Sequence, residues 1–193
     1  MKKKLFKKRS SKPDLIFLKG QRINLRPLKS NDAYGPYVQW LNDELVCRFN
    51  SHHVYPFTRV DARKYIEAVG KNKSVIVLAV ETLKGRRHIG NIALKNIDHF
   101  SKCSELAILI GNPAYWSKGY GEEASRLLLQ HGFTALGLNR IYAGTYAENT
   151  GMRRLAERLG MKEEGVRRQA AFKNGKFSDI IEFGVLGHEF KSH

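Results

Sequence analysis

Apolar residues in this chain stand in short continuous runs in some segments and recur at every third or fourth position in others, which separates strands from helices along its length. Ile23–Arg26 reads as a short strand ending at Pro27. Ser30, Asn31 and Asp32 offer N-caps to a helix with Tyr34, Tyr37, Val38 and Leu41 on one face. Pro36 inside that pattern predicts a kink, or a start at Gly35-Pro36. Thr58 and Asp61 resemble a capping box ahead of Ala62, Tyr65, Ile66 and Val69, the face of a second helix. Val75–Val80 and Ile89–Leu94 flank a Lys84-Gly85 turn and predict a hairpin, and Glu105–Ile110 is a further strand. A helix over Glu122–Leu136 and a strand over Arg140–Tyr146 follow. Asn149 then caps a helix with Met152, Leu155, Ala156 and Leu159 on one face and a stop at Gly160. The Asn174-Gly175 turn joins residues near Val166–Phe172 to a last strand, Ile180–Leu186. Hairpins first, then strands alternating with helices, predict an α+β (α/β) domain built on a mixed sheet covered by helices.

The segment richest in chemistry lies between the Glu105–Ile110 strand and the helix after it: Trp116, Ser117, Lys118, Gly119, Tyr120, Gly121, Glu122, Glu123, Ala124. Its two glycines let the backbone approach a ligand closely and aim several N–H groups one way. The helix N-terminus adds partial positive charge, and Lys118 adds a full one. Strand, loop and helix in this order read as a pyrophosphate cradle.

Charge points the same way. The 193 residues suit one compact domain and carry a formal net charge of +16, with seven of the 34 Lys and Arg in the first twelve residues. Residues 1–13 read as a basic, disordered tail, with a nucleic acid or an anionic membrane as alternative partners. Residues 20–190 read as the domain. A basic body suits a polyanionic ligand such as a phosphorylated cofactor, a nucleotide-sugar or a nucleic acid. No apolar run nears the roughly 20 residues that cross a bilayer, and no apolar segment follows the tail as in a secretory signal. Cys47 and Cys103 are too few for a disulfide scaffold and match no metal motif. A cytoplasmic protein with free thiols and no metal is expected.

Glu105–Gly111, Tyr115–Gly121, Glu123-Ala124, Leu138–Ile141, Asn149, Arg158–Gly165 and Phe172–Asp179, in this order and spacing, resemble the GCN5-related N-acetyltransferase (GNAT) superfamily. The likeness is to the ribosomal-protein-acetyltransferase-like branch, which also includes polyamine and amino-sugar N-acetyltransferases, and it runs from about Gln21 to Phe190. It implies the GNAT fold: a mostly antiparallel sheet with one splayed strand pair and helices on both faces. It also implies acetyl-CoA as donor. The pantetheine arm would lie along the backbone of Ile108, Leu109 and Ile110, where an N–H polarises the thioester carbonyl. The pyrophosphate would sit on Ser117, Lys118, Gly119, Tyr120 and Gly121. Asn149 matches a position that contacts cofactor or acceptor, and it also reads as a plain helix cap.

Acetyl transfer needs a neutral amine, and a primary amine has a pKa of about 10, so a base is expected. Glu105, where relatives carry an acid near the acceptor, is the first candidate. Asp179 is the second, its other reading being a turn-stabilising side chain. His52 and His53 read either as acceptor-pocket lining or as solvated loop residues, and Glu123 as a first-turn acid facing the helix dipole. Three departures from the family pattern stand out: Ala156 where many relatives place a proton-donating Tyr, Met152 where Ser is common, and Glu122 where Thr is usual. Tyr146 or water could protonate the leaving thiolate instead. The favoured acceptor is a small-molecule amine, in particular a nucleotide-linked amino sugar, on the strength of the basic body and of the Trp40–Asp43 segment, which resembles the acceptor-side segment of amino-sugar acetyltransferases. A protein N-terminus or lysine is the second reading, and a non-catalytic acetyl-CoA- or nucleic-acid-binding module the third. The chain could also form a homodimer.

Overall fold

The computed structural model describes residues 15–191, so the basic tail lies outside the described residues. The strands are β1 (Leu18–Lys19), β2 (Ile23–Pro27), β3 (Ile76–Thr82), β4 (His88–Asp98), β5 (Cys103–Ile110), β6 (Arg140–Tyr146), β7 (Lys162–Lys173) and β8 (Lys176–Leu186). They form one sheet in the order β1-β2-β3-β4-β5-β6-β8-β7. Every neighbouring pair is antiparallel except β5 and β6. That parallel pairing is short: Cys103 with Arg140, Ser104 with Ile141, Glu105 with Tyr142. Beyond it β5 continues against β4 and β6 continues against β8, so the pair is splayed.

The helices are α1 (Tyr37–Leu41), α2 (Glu44–Cys47), α3 (Arg59–Lys71), α4 (Tyr120–Thr134) and α5 (Thr150–Arg158). One face of the sheet packs on α4 and α5, where Leu128, Leu129, Ala156 and Leu159 meet Leu106, Ile141 and Phe183. The other face is covered by α1–α3, through Tyr37, Trp40, Leu41, Ala62 and Ile66 against Leu109. Each fully buried Leu or Ile contributes about 1.5–3 kcal/mol, so the two layers hold the helices far more firmly than helix propensity could.

The Thr58/Asp61 capping box forms as the sequence predicts, with Thr58 Oγ1 accepting from the Asp61 amide and Asp61 accepting from the Thr58 amide. The first predicted helix divides at Gly35-Pro36: Ser30–Tyr34 is a 3₁₀ turn, and α1 starts after Pro36, which has no N–H to continue the ladder. The helix expected over Glu122–Leu136 starts earlier, because Gly119 caps it in the left-handed region at φ +79. β7 begins well before Val166; Lys162–Gly165 carry no strand pattern because this edge strand is exposed on both sides. β1 falls just before the expected domain start at residue 20, and α2 is a single turn that Asp43 caps.

Beneath α1 lies an ionic knot. Arg26 is buried and bonds Asp32 and Glu81, each at 2.8 Å. Burial alone would push the Asp32 carboxyl up; bonds from His88, Arg26 and the Lys29 amide outweigh it and hold Asp32 well below the usual carboxylate range.

Candidate active site

The short β5–β6 seam leaves the facing edges of residues 106–110 and 143–146 without a strand partner among the described residues. An open strand edge presents alternating N–H and C=O groups, and an extended amide chain such as a pantetheine arm matches that pattern. Ile108, Leu109 and Ile110 line the wide end. Ile108 packs toward α4 and α5, and Leu109 toward α1–α3. The Trp116 indole N–H donates to the Ile110 carbonyl at 2.6 Å and fixes the strand's end.

The following loop turns sharply, with Ser117 and Gly119 at φ +55 and +79. The first intrahelical bond of α4 runs from the Glu123 N–H to the Gly119 carbonyl at 3.0 Å. No amide from Ser117 to Glu122 donates to a protein acceptor among the described residues. These amides, the helix dipole and exposed Lys118 form a concave donor set that fits a diphosphate. The two glycines differ in role. Gly119 needs its left-handed φ, whereas a Cβ on Gly121 would meet Ile108, Ile110 and Leu155 at ordinary contact distances, 3.6–4.0 Å.

Sequence reading missed Arg22. Its Nε donates to Glu123 at 2.9 Å, its Nη1 donates to the Lys118 carbonyl at 2.9 Å, and its guanidinium lies 4.9 Å from the centre of the Tyr120 ring. The Glu123 carboxylate also accepts from the amides of Gln21 and Arg22, at 2.7 and 2.8 Å. Glu123 therefore does more than face a helix dipole: it ties the β1–β2 turn to the loop. Those partners sit about a hundred positions apart, and no local pattern signals them. Glu122 turns away to Arg126 and Arg158, at 3.0 and 3.5 Å, which keeps its charge from the cradle.

Alternation along β5 puts Glu105 on the Leu109 side, the α1–α3 side. It is the last β5 residue paired with β6 and so stands at the foot of the splay, opposite Tyr142. Lys95 Nζ lies 3.1 Å from its carboxylate, and Asn96 Nδ2 donates to it at 3.2 Å. Burial, then the charge of Glu105, pushes the Tyr142 phenol up. Farther along β6, Tyr146 meets the Phe49 ring at 6.1 Å.

Residues 48–57 roof this side. Asn42 pins the loop's base, donating to the carbonyls of Val38 and Phe57 and accepting from the Phe57 amide. From the end of β7, the Lys173 ammonium donates to the carbonyls of Asn50, at 3.1 Å, and His52. Burial, then the charges of Lys173 and Lys95, lowers the His52 pKa. His52 and His53 both line a cavity of about 320 Å³ between the loop, Leu41 and Asp61.

Asp179 is not brought to Glu105. Its Oδ1 accepts from the Gln169 amide at 2.7 Å and holds the β7 bulge, where Gln169 has φ +50. Strand alternation places it on the Ile181 side, facing away from Glu105. Asn149 caps α5: its Oδ1 accepts from the Met152 amide at 3.2 Å, and its Nδ2 donates to Thr145 Oγ1 at 3.0 Å. Ala156 is fully buried in the α4–α5 core. Among the described residues no group of three metal-ligating side chains occurs, Cys47 and Cys103 are free, and no helix is long and apolar enough to cross a membrane.

The sequence profile of the acetyltransferase (GNAT) domain matches residues 22–162. The uncharacterized N-acetyltransferase p20 of Bacillus licheniformis is 29% identical over 177 residues, covering 88% of this chain and 96% of that protein. The spermidine N(1)-acetyltransferase of Escherichia coli K12 is 30% identical over 172 residues, covering 87% and 88%. The crystal structure of a Vibrio cholerae spermidine N-acetyltransferase with CoA and spermine shares the fold, with a TM-score of 0.80 at 23% identity, covering 87% of this chain and 97% of that one.

Proposed function

The chain belongs to the GNAT acetyltransferase family, and on that premise we propose that it acetylates a small-molecule primary amine admitted from the α1–α3 side of the sheet, with Glu105 as the base. It is an N-acetyltransferase, taking acetyl-CoA as co-substrate and an amine as acceptor. Relatives named for spermidine acetylation support a small acceptor. In this reading residues 20–190 form the catalytic domain.

Acetyl-CoA supplies an activated acetyl group as a thioester. The loop from Ser117 to Gly121 grips its diphosphate, and the edge of Ile108, Leu109 and Ile110 holds its arm extended. A strand amide stabilises the charge that develops on the acetyl oxygen. Glu105, directly or through one water, takes the ammonium proton so that the amine lone pair can attack. Lys95 and Asn96 fix the carboxylate's position. As the C–N bond forms the C–S bond breaks, and the second nitrogen proton passes to the departing thiolate or to water; a thiol pKa near 8.5 makes the thiolate a workable leaving group even with Ala156 in place of a phenol.

The observation that carries this reading is the placement of Glu105 at the foot of the splay, on the side roofed by residues 48–57. Glu105→Gln should lower kcat by about 10²- to 10⁴-fold while a CoA titration still saturates. An unchanged kcat at neutral pH would remove Glu105 from the chemistry. Asp179→Asn, which weakens the β7 bulge instead, should act on stability before rate.

A further inference from the structure

The acceptor side carries more fixed cation than carboxylate. Strand register gathers Glu105, Arg140, Tyr142 and Glu182 on one side of the sheet. Each acid there is already matched to a cation: Glu105 to Lys95 at 3.1 Å, Glu182 to Arg167 at 2.6 Å, and Glu164 to Arg140. Lys173 comes in addition. Its ammonium bonds the carbonyls of Asn50 and His52 and pairs with no carboxylate among the described residues. Two of its three donors are thereby assigned, and its charge is left uncompensated. Lys173 holds the loop whose Phe49 ring meets Tyr146, on the same side of β6 as Tyr142 and hence of Glu105, and the charges of Lys173 and Lys95 both reach His52. Asp43, which lines a groove with Asn174 and acts with Lys173 on Cys47, accepts from the Val46 amide as the cap of α2, and Arg48 lines the same groove. Asp61 is engaged by Thr58, and Glu148 is exposed beyond Tyr146.

A polyamine brings several ammonium groups, each of which needs an acid to replace its water. The α1–α3 side offers acids already matched at Glu105 and Glu182, and the ammonium of Lys173 without a carboxylate on it among the described residues. Resting on the transfer reading above, we propose that the acceptor is an amine that also bears an anionic group, a phosphate or a carboxylate, received by Lys173 while the amine faces Glu105, and that polyamines are poor substrates.

The test is thiol release from acetyl-CoA with matched acceptors: glucosamine 6-phosphate against glucosamine, 6-aminohexanoate against its amide, and spermidine. The anionic member of at least one pair should exceed its neutral counterpart by tenfold or more in kcat/KM, mainly through KM, and the pair that responds separates phosphate from carboxylate. Lys173→Gln should cut that preference to about threefold or less; Lys173→Arg, which keeps the charge, should retain it. Spermidine as the best acceptor, equal rates within both pairs, or a preference that survives Lys173→Gln would overturn the proposal. Absence of turnover with every amine would instead bring down the transfer reading, and this inference with it.

Discussion

Replacing Gly119 with alanine adds one methyl group to the loop but forces a side chain into φ +79. A residue with a Cβ costs roughly 1–2 kcal/mol in the left-handed region. The new Cβ would lie 3.0 Å from Nη2 of Arg22, the end of a flexible, half-exposed side chain that can yield, so strain rather than clash sets the magnitude. The free protein can relieve part of that strain by rotating the loop. On the proposed cradle the CoA-bound protein cannot, because the same turn would aim the amides at the phosphates. Carried wholly by the bound state, the penalty raises the CoA Kd about 5- to 30-fold, at ~1.4 kcal/mol per tenfold. Whatever part the free protein keeps appears as a lower Tm, about 2–4 °C per kcal/mol for a chain of this size. Titration calorimetry reads the first quantity and thermal denaturation the second, and together they should sum to about 1–2 kcal/mol. Gly137→Ala supplies the control. It has φ +63 with open space around it, beyond the far end of the 15-residue α4, about 22 Å from the loop. It should lower Tm and leave the Kd alone. A Gly119→Ala protein that matches its parent in both measurements would refute the assignment of the loop as a phosphate cradle.

Other substitutions probe the supports of the site. Glu123→Ala removes the carboxylate that the Gln21 and Arg22 amides and the Arg22 guanidinium share at an exposed site where water can replace it, so denaturant unfolding should show a loss of about 1–2 kcal/mol, with weaker CoA binding as the Lys118 carbonyl loses its tether. Asp32 has a depressed folded pKa, so its stabilisation is fully present above the unfolded value near pH 4 and is lost as pH falls toward the folded one. Asp32→Asn should therefore flatten the acid limb of a stability-against-pH curve between about pH 5 and pH 2; an unchanged slope would mean the knot is not holding that charge. Cys47 is fully buried and its thiol is pushed up by burial, so iodoacetamide should modify partly exposed Cys103 first, as peptide mass mapping would record.

What the sequence made legible was local. The Thr58 and Asn149 caps, the Gly160 stop and the Asn174-Gly175 turn act within a few residues, and α3, α5, β6 and the β7–β8 hairpin lie close to where those signals put them. The turn of the loop proposed as a phosphate cradle was visible for the same reason. Elements that depend on distant partners were not: β1 exists because β2 lies beside it, and β7 runs through Lys162–Gly165 because β8 offers a ladder. The site divides the same way. Glu105 came forward as the proposed base through the family resemblance and the proposed cradle through its glycines and the helix behind it, whereas the Arg22–Glu123 tie and the reach of Lys173 to the Asn50 carbonyl join positions about a hundred or more apart. Asp179 showed a carboxylate but not its occupation by the Gln169 amide, which requires the β7 bulge.

Three residue pairs are a thin weld between two wings of a sheet, β1–β5 on one side and β6–β8 on the other. Where the weld stops, nothing in the ladder resists the wings parting. A guest laid into the gap restores the missing rungs from both sides at once. With acetyl-CoA lying there as proposed, the donor is also a removable structural member: the molecule would be stiffest when loaded and most compliant once the spent thiol has left, the moment at which product must escape.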